Sequence, residues 1–354
     1  MKPGVFNIVG LMSGTSLDGV DIAACTFFLD DKAWKYQVKA ARTFEYSPGW
    51  TERLRTLHEA GAYEFCRADR EYGHLLGGLV SRFLGETGFP AELVASHGHT
   101  IFHRPEKGLT VQIGSGAAIS TETGLPVVCD FRSADVAQGG QGAPLVPIGD
   151  KLLFGSYDAC LNLGGFSNLS FDMDGDRVAF DISPVNTVLN LLAAREGLPY
   201  DDRGMLAASG TIISALLTSM NELHYYRKAH PKSLGREWLE REFLPLLDTV
   251  KASPADLSRT VCEHIAIQVN RALATGRPFR VLVTGGGTHH DFLMERIRTL
   301  GNHEFLVPDS LTVDYKEAIV FAFLGLLRWQ GNINILRTVT GGKSDICSGA
   351  IYRV

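Results

Sequence analysis

The sequence predicts an α/β protein of two lobes, each built on a mixed β-sheet flanked by helices. Three observations lead there. Each half opens with an apolar run that stops at a glycine-rich turn and then resumes, at residues 5–12 and 20–28 in the first half and at 159–163 and 167–171 in the second. In both halves the strand-like stretches give way to segments with apolar residues at helical spacing. The chain has 354 residues, 45% of them hydrophobic and 21% charged, which is enough for two cores of ordinary size.

Taken in order, residues 5–12 form the first expected strand, residues 20–28 its hairpin partner and residues 34–44 a third strand. Helices are expected at 51–57 and 65–84, the second with Leu75, Leu76, Leu79 and Phe83 at helical spacing. Residues 93–96 read as a strand ending at a loop, His97-Gly98-His99-Thr100. The stretch 139–147, rich in Gly, Pro and Ala, reads as a crossing between lobes. In the second half, strands are expected at 159–163, 167–171, 178–181 and 280–284. Helices are expected there at 186–196, 212–222, 257–273, 292–300 and 317–329. The N-terminal lobe is placed at 1–133 with about 340–354, and the C-terminal lobe at 134–339.

Charge and cysteine usage narrow the function. Lys and Arg number 34 against 39 Asp and Glu, a net charge of −5 that speaks against nucleic acid as the main partner. Local donors can still bind an anionic ligand inside an acidic protein. No stretch has the apolar length needed to span a membrane. Cys25, Cys66, Cys129, Cys160, Cys262 and Cys347 are scattered, with no C-x-x-C, and read as reduced thiols of a cytoplasmic protein.

The turn Ser13-Gly14-Thr15-Ser16-Leu17-Asp18-Gly19-Val20-Asp21 is the strongest chemical signal. Its glycines allow close backbone approach, its successive N–H groups can form an anion nest, and Thr15 and Ser16 add hydroxyl donors. Asp18 and Asp21 would repel a bare phosphate, so they suit a site that also takes Mg²⁺. No Gly-Lys-Ser/Thr follows, so this is not a Walker A loop. Gly164-Gly165 and Gly285-Gly286-Gly287 each end a predicted strand, the first suited to a phosphate and the second to a flat adenine. Three histidines in residues 97–103 permit a zinc reading, but a polar loop for a sugar fits better because no distant Cys/His pair completes a metal set. Arg132 is a candidate carboxylate clamp, or else a structural partner of Asp130 or Asp135. Asp181, at a strand end, is placed to take a proton from water, or else to sit at a helix N-terminus. Glu317 opens an apolar helix as a first-turn acid or a site residue.

Together these segments resemble the anhydro-N-acetylmuramic acid kinases, of the sugar kinase, Hsp70 and actin superfamily. The carriers are residues 10–21, 96–100, 130–132 and 139–147, then Asn162-Leu163-Gly164-Gly165 with Asn168, residues 285–289, and Glu317-Ala318 with Phe321-Ala322. The resemblance implies the duplicated ribonuclease H-like fold with nucleotide in the interlobe cleft. It also implies ATP and Mg²⁺ as cofactors, an amino sugar as partner and a tendency to form homodimers. The implied reaction uses water and ATP to turn 1,6-anhydro-N-acetylmuramic acid into N-acetylmuramic acid 6-phosphate in cell-wall recycling. By the same resemblance Asp181 is the catalytic base. Gly14 to Asp21, Gly164 and Gly165 hold phosphates, and Gly285 and Gly286 lie by the adenosine. His97, Thr100, Arg132 and Glu317 face the sugar. The chain departs from the family pattern at Ile182 and Ser183, where Thr and Gly are usual, and at Asn190 and His99. Two other readings stay open: a kinase for a different amino sugar, and a sugar sensor that kept the fold without the activity.

Overall fold

The computed structural model describes residues 4–14, 17–31, 33–230, 232–274 and 276–353. The chain divides into two compact units, Met1–Leu153 with Tyr315–Val354, and Phe154–Asp314. The strands, in chain order, are β1 (Val5–Ser13), β2 (Gly19–Asp30), β3 (Ala33–Glu45), β4 (Leu93–Arg104), β5 (Leu109–Ile113) and β6 (Val127–Cys129). They continue as β7 (Ala159–Leu163), β8 (Phe166–Met173), β9 (Asp176–Pro184), β10 (Arg280–Thr284), β11 (Glu304–Leu306) and β12 (Ala350–Tyr352).

Among the described residues the first unit holds a seven-stranded sheet, ordered β12-β6-β4-β1-β2-β3 with β5 paired to β4. The second holds a five-stranded sheet, ordered β11-β10-β7-β8-β9. Both follow one plan. An antiparallel three-strand meander comes first, β1-β2-β3 or β7-β8-β9. The next strand of the plan then runs parallel to the first of the meander, β4 beside β1 and β10 beside β7. The duplication expected from the two glycine turns is therefore a duplication of topology.

Each sheet buries one face under long helices. In the first unit Tyr72, Leu76, Val80 and Phe83 of the helix Ala62–Thr87 pack with Val9, Leu11 and Ile22 of the hairpin. In the second, Val261, Ile265 and Val269 of the helix Pro254–Ala272 pack with Leu161, Leu169 and Val283. A third approach is closer. A Cβ on Gly10 would sit 2.0 Å from the Ala318 carbonyl oxygen, and one on Gly325 would sit 2.4 Å from the Ala95 Cβ. Bare backbone at these two positions lets the helix that carries Glu317 lie directly on β1 and β4.

Two sequence expectations change. The stretch from His97 to Thr100 is strand, not loop, because β4 runs on to Arg104 and β5 pairs with its second half, Arg104 opposite Leu109 and His99 opposite Ile113. The first unit extends to Leu153 and resumes at Tyr315, rather than ending at 133 and resuming near 340. The reason is packing: Lys316 Nζ makes a buried 2.8 Å ion pair with Asp150, and Val320 fills the space a Cβ would need at Gly149. The Gly/Pro-rich stretch 139–147 is thus internal to the first unit. It is fastened there by buried Asp135, which accepts from Gly142 N (2.8 Å) and Thr340 Oγ1 (2.8 Å). Among the described residues no helix is long and apolar enough to cross a membrane.

Candidate active site

The first unit assembles the hairpin and the sugar-side residues. Of the expected phosphate turn, Thr15 and Ser16 lie outside the described residues. At its flanks Ser13 is buried and hydrogen-bonded to Tyr46 Oη (2.6 Å) and His99 Nδ1 (2.7 Å). Leu17 takes a left-handed φ of 63°, with its N–H toward the Gly14 carbonyl at 3.4 Å. Asp18 is exposed, and Asp21 accepts from Thr43 Oγ1 at 2.6 Å. Gly19 has a structural reason for its missing side chain, since a Cβ would meet the Phe44 carbonyl oxygen at 2.4 Å. Val20 is buried in the core.

Arg132 pairs with neither Asp130 nor Asp135. Asp130 instead accepts from the Ser133 hydroxyl at 2.5 Å. Arg132 directs Nε (3.1 Å) and Nη2 (2.8 Å) to the His97 ring at Nε2, and Nη1 to the Gly142 carbonyl (2.6 Å). The tautomer of His97 follows. Nε2 accepts, so Nδ1 carries the proton and donates to the Gly98 carbonyl at 2.9 Å. Both ring nitrogens are used inside the protein, so His97 orients Arg132 and has no nitrogen left for a ligand. Burial, and then the Arg132 charge, hold the ring well below its ordinary pKa and neutral. Burial lowers Arg132 to about 10, partly offset by Glu317, which leaves it charged at neutral pH. Burial also raises the Glu317 carboxyl, against the opposing charges of Arg132 and Lys316. Glu317 is nonetheless open to solvent. Thr100 is half-buried, at 3.4 Å from Gln112 Nε2.

The second unit brings two glycine turns and Asp181 together. Val185 N (2.8 Å) and Asn186 N (3.2 Å) donate to the carbonyls of Gly165 and Gly164, tying the strand end after Asp181 to the first turn. Gly285, with φ +88°, lies against Leu163 and Asn162, where a Cβ would meet Asn162 Oδ1 at 2.5 Å. Gly165 and Gly286 differ. A Cβ would meet only Thr187 at 3.8 Å in the first case and only Asn186 Nδ2 at 3.4 Å in the second. Packing against the fold therefore does not require glycine at these two positions. Gly286 also borders a cavity of about 730 Å³ lined by Asn186, Asn190, Tyr200, Arg203 and His289.

Asp181 sits on β9, the outermost strand of its sheet. The register shifts beside it, with Asn168 opposite Asp181 but Ser167 opposite Ser183, so Ile182 is an extra residue in a bulge. Its outward side is met by a segment that the sequence pattern did not single out. Asp181 N donates to the Lys232 carbonyl (3.2 Å), Tyr225 Oη donates to the Asp181 carbonyl (2.6 Å), and Leu234 N donates to Asp181 Oδ2 (2.8 Å). Oδ1 has no hydrogen-bond partner among the described residues. Burial raises the carboxyl, and the Leu234 N–H opposes this. The reading of Asp181 as a simple helix N-cap fails, since the helix Asn186–Ala194 starts five residues later. No group of three or more His, Cys, Asp or Glu side chains able to hold a metal occurs among the described residues.

The buried histidines set an acid limit on stability. Burial lowers His99 to about 4 and His264 to about 3, in line with His97. A histidine kept neutral in the fold but free to take a proton when unfolded contributes stability that is whole above pH 6.5 and lost below it. Raised carboxyls at Asp181 and Glu317 work the other way as the pH falls, and only partly cancel three histidines. Urea midpoints are expected to be flat above pH 7 and to fall between pH 6.5 and 4. The slope is at most about 1.4 kcal/mol per pH unit for each histidine. His99→Gln should make that slope shallower.

Two mixed sheets of one topology and a carboxylate with one open oxygen are what a small-molecule phosphotransferase would use. A family model for anhydro-N-acetylmuramic acid kinase matches residues 6–354. A Vibrio cholerae protein of that name is 34% identical over 97% of this chain and 97% of its own, and one from Methylorubrum populi is 35% identical over 97% and 98%. The chain belongs to the anhydro-N-acetylmuramic acid kinase family. It is an enzyme, a kinase of amino sugar metabolism, consistent with cell-wall recycling. Among solved structures, component A of the Acidaminococcus fermentans (R)-2-hydroxyglutaryl-CoA dehydratase covers 90% of this chain, with 97% of its own covered. That likeness stands at 12% identity and a TM-score of 0.45, too distant to bear on function.

Proposed function

We propose that the chain spends one ATP and one water on each 1,6-anhydro-N-acetylmuramic acid, with Asp181 as the general base. Asp181 takes a proton from water as the water oxygen bonds to C1. The C1–O6 bond breaks, and O6 takes the γ-phosphoryl group from ATP. The products are N-acetylmuramic acid 6-phosphate, ADP and the proton, which Asp181 returns to solvent. The observation that carries this reading is the asymmetry of the Asp181 carboxylate, with Oδ2 held by Leu234 N–H and Oδ1 free. A carboxylate base needs an open oxygen within hydrogen-bond reach of the water it deprotonates.

The residues divide the remaining work. Backbone N–H groups from Gly14 to Asp21 bind phosphate oxygens, with Gly164 and Gly165 as a second anion turn. Adenosine lies against Gly285 and Gly286 in the 730 Å³ cavity, where Tyr200 offers a ring face. Arg132, held in orientation by His97, clamps the lactyl carboxylate, and Thr100 and Glu317 meet the sugar hydroxyls. Mg²⁺ binds through phosphates, water and one or two carboxylates and so needs no cage of protein ligands. Asp18 or Asp21 would hold it, and it would offset charge on the transferring group.

The test is ADP release with the anhydro sugar beside plain N-acetylmuramic acid, run in ¹⁸O-water with a rapid quench. ADP should form with the anhydro sugar, and the sugar phosphate should carry one heavy oxygen at C1. ADP formed only with the open sugar, or a product without label, would refute the hydrolytic step.

A further inference from the structure

The segment that meets Asp181 is itself anchored by a buried polar chain for which the reaction above has no use. Tyr225 and Tyr226 are neighbours in the short turn His224–Arg227, and their phenols serve different places. Tyr225 reaches the Asp181 carbonyl at 2.6 Å. Tyr226 Oη lies 2.9 Å from His264 Nε2, deep in the second unit's core. His264 Nδ1 lies 2.9 Å from Asn221 Oδ1, which also accepts from Gln268 Nε2 at 2.7 Å. Asn221 Oδ1 can only accept, so His264 carries its proton on Nδ1 and Tyr226 donates to Nε2. The Ser183 hydroxyl, fully buried, donates to the Pro184 carbonyl at 3.2 Å.

Three bonds from residues 225–234 hold Asp181: one on its N–H, one on its carbonyl and one on its carboxylate. Because β9 is an edge strand with a bulge after Asp181, the sheet alone leaves this residue free to turn. The fixing comes from the segment, and the segment is pinned through Tyr226 to His264. We infer that Tyr225, Tyr226 and His264 are positioning residues for the general base, and that they set the orientation in which Oδ1 meets water. This inference rests on the reading of Asp181 as that base.

The charged and titratable groups facing this corner are few. Lys232 Nζ lies 4.8 Å from the Tyr225 ring centre and 5.7 Å from that of Phe180, and His230 stacks on Phe180 at 5.5 Å. Freed from its segment, the carboxyl would gain more from solvent than it lost with the Leu234 N–H, because burial is the larger cause of its raised pKa.

The experiment measures kcat and KM for the anhydro sugar from pH 5 to 9 in the full chain and in Asp181→Asn, Tyr225→Phe and Tyr226→Phe. Each Tyr→Phe change is expected to lower kcat about tenfold, leave KM within about twofold and move the acid limb of the kcat profile to lower pH. A merely structural role would lower the melting temperature and leave that limb in place. Unchanged kcat and limb in both tyrosine variants, with Asp181→Asn inactive, would overturn the positioning role and spare the base. Full activity in Asp181→Asn would remove the base, and the positioning role with it. Should Tyr225→Phe fail to fold, Tyr226→Phe, which leaves the bond to Asp181 in place, decides the matter.

Discussion

Asp181→Asn is expected to lower kcat by about 10²–10⁴, the usual range for a placed general base, with little change in KM for either substrate. The size follows from what the change removes. The amide oxygen can still accept from Leu234 N–H, so the local hydrogen bonding survives, while the second position becomes an NH₂ that cannot take a proton. Circular dichroism and melting temperature should match the parent, which separates lost chemistry from lost structure. The pH dependence has a fixed sign. Burial holds the carboxyl above its ordinary pKa, and the base works only when ionised. The acid limb of kcat should therefore lie above the pH at which an exposed aspartate titrates, and should vanish from whatever residual rate Asp181→Asn retains. A variant within threefold of the parent rate would refute the assignment.

Arg132→Ala is expected to raise KM for the anhydro sugar about 10–150-fold. A hydrogen bond to a charged group is worth about 1.5–3 kcal/mol, and 1.4 kcal/mol is a factor of ten. The control is 1,6-anhydro-N-acetylglucosamine, which lacks the lactyl acid. If Arg132 clamps that acid, the variant should treat the neutral sugar much as the parent does. An equal loss on both sugars would move Arg132 from recognition to structure. Arg132→Lys should not restore the acidic substrate, because one ammonium cannot serve His97, the Gly142 carbonyl and a carboxylate in the planes the guanidinium uses.

The fold was legible where local pattern and tertiary role agree. The hairpin of β1 and β2 shows because a buried strand followed by a glycine turn can hardly be anything else, and Gly164 and Gly285 show because each ends an apolar run. Legibility fails where a partner distant in sequence decides. His97 to Thr100 read as a loop because β5, which makes it strand, lies beyond Pro105 and Gly108. The limits of the first unit were missed because the Lys316–Asp150 ion pair joins residues far apart in the chain. Arg132 was offered two acidic partners close in sequence and took a histidine 35 positions away. The larger gap in the site was residues 225–234. Tyr225 and Leu234 act through a phenol and a backbone N–H, and neither leaves a mark in residue type. The one available clue was two adjacent tyrosines in a polar stretch. Ser183, by contrast, drew notice as a departure, and its buried hydroxyl donates to the Pro184 carbonyl.

The bulged end of β9 has a consequence for solubility. An outermost strand offers a row of unspent donors and acceptors on which a second molecule can crystallise its own backbone, the first step of many aggregates. At Asp181 that row is already taken by Lys232 and Tyr225. The contacts that hold the Asp181 backbone therefore also cover the strand edge there. Substitutions that loosen them should cloud a concentrated solution as well as slow the enzyme.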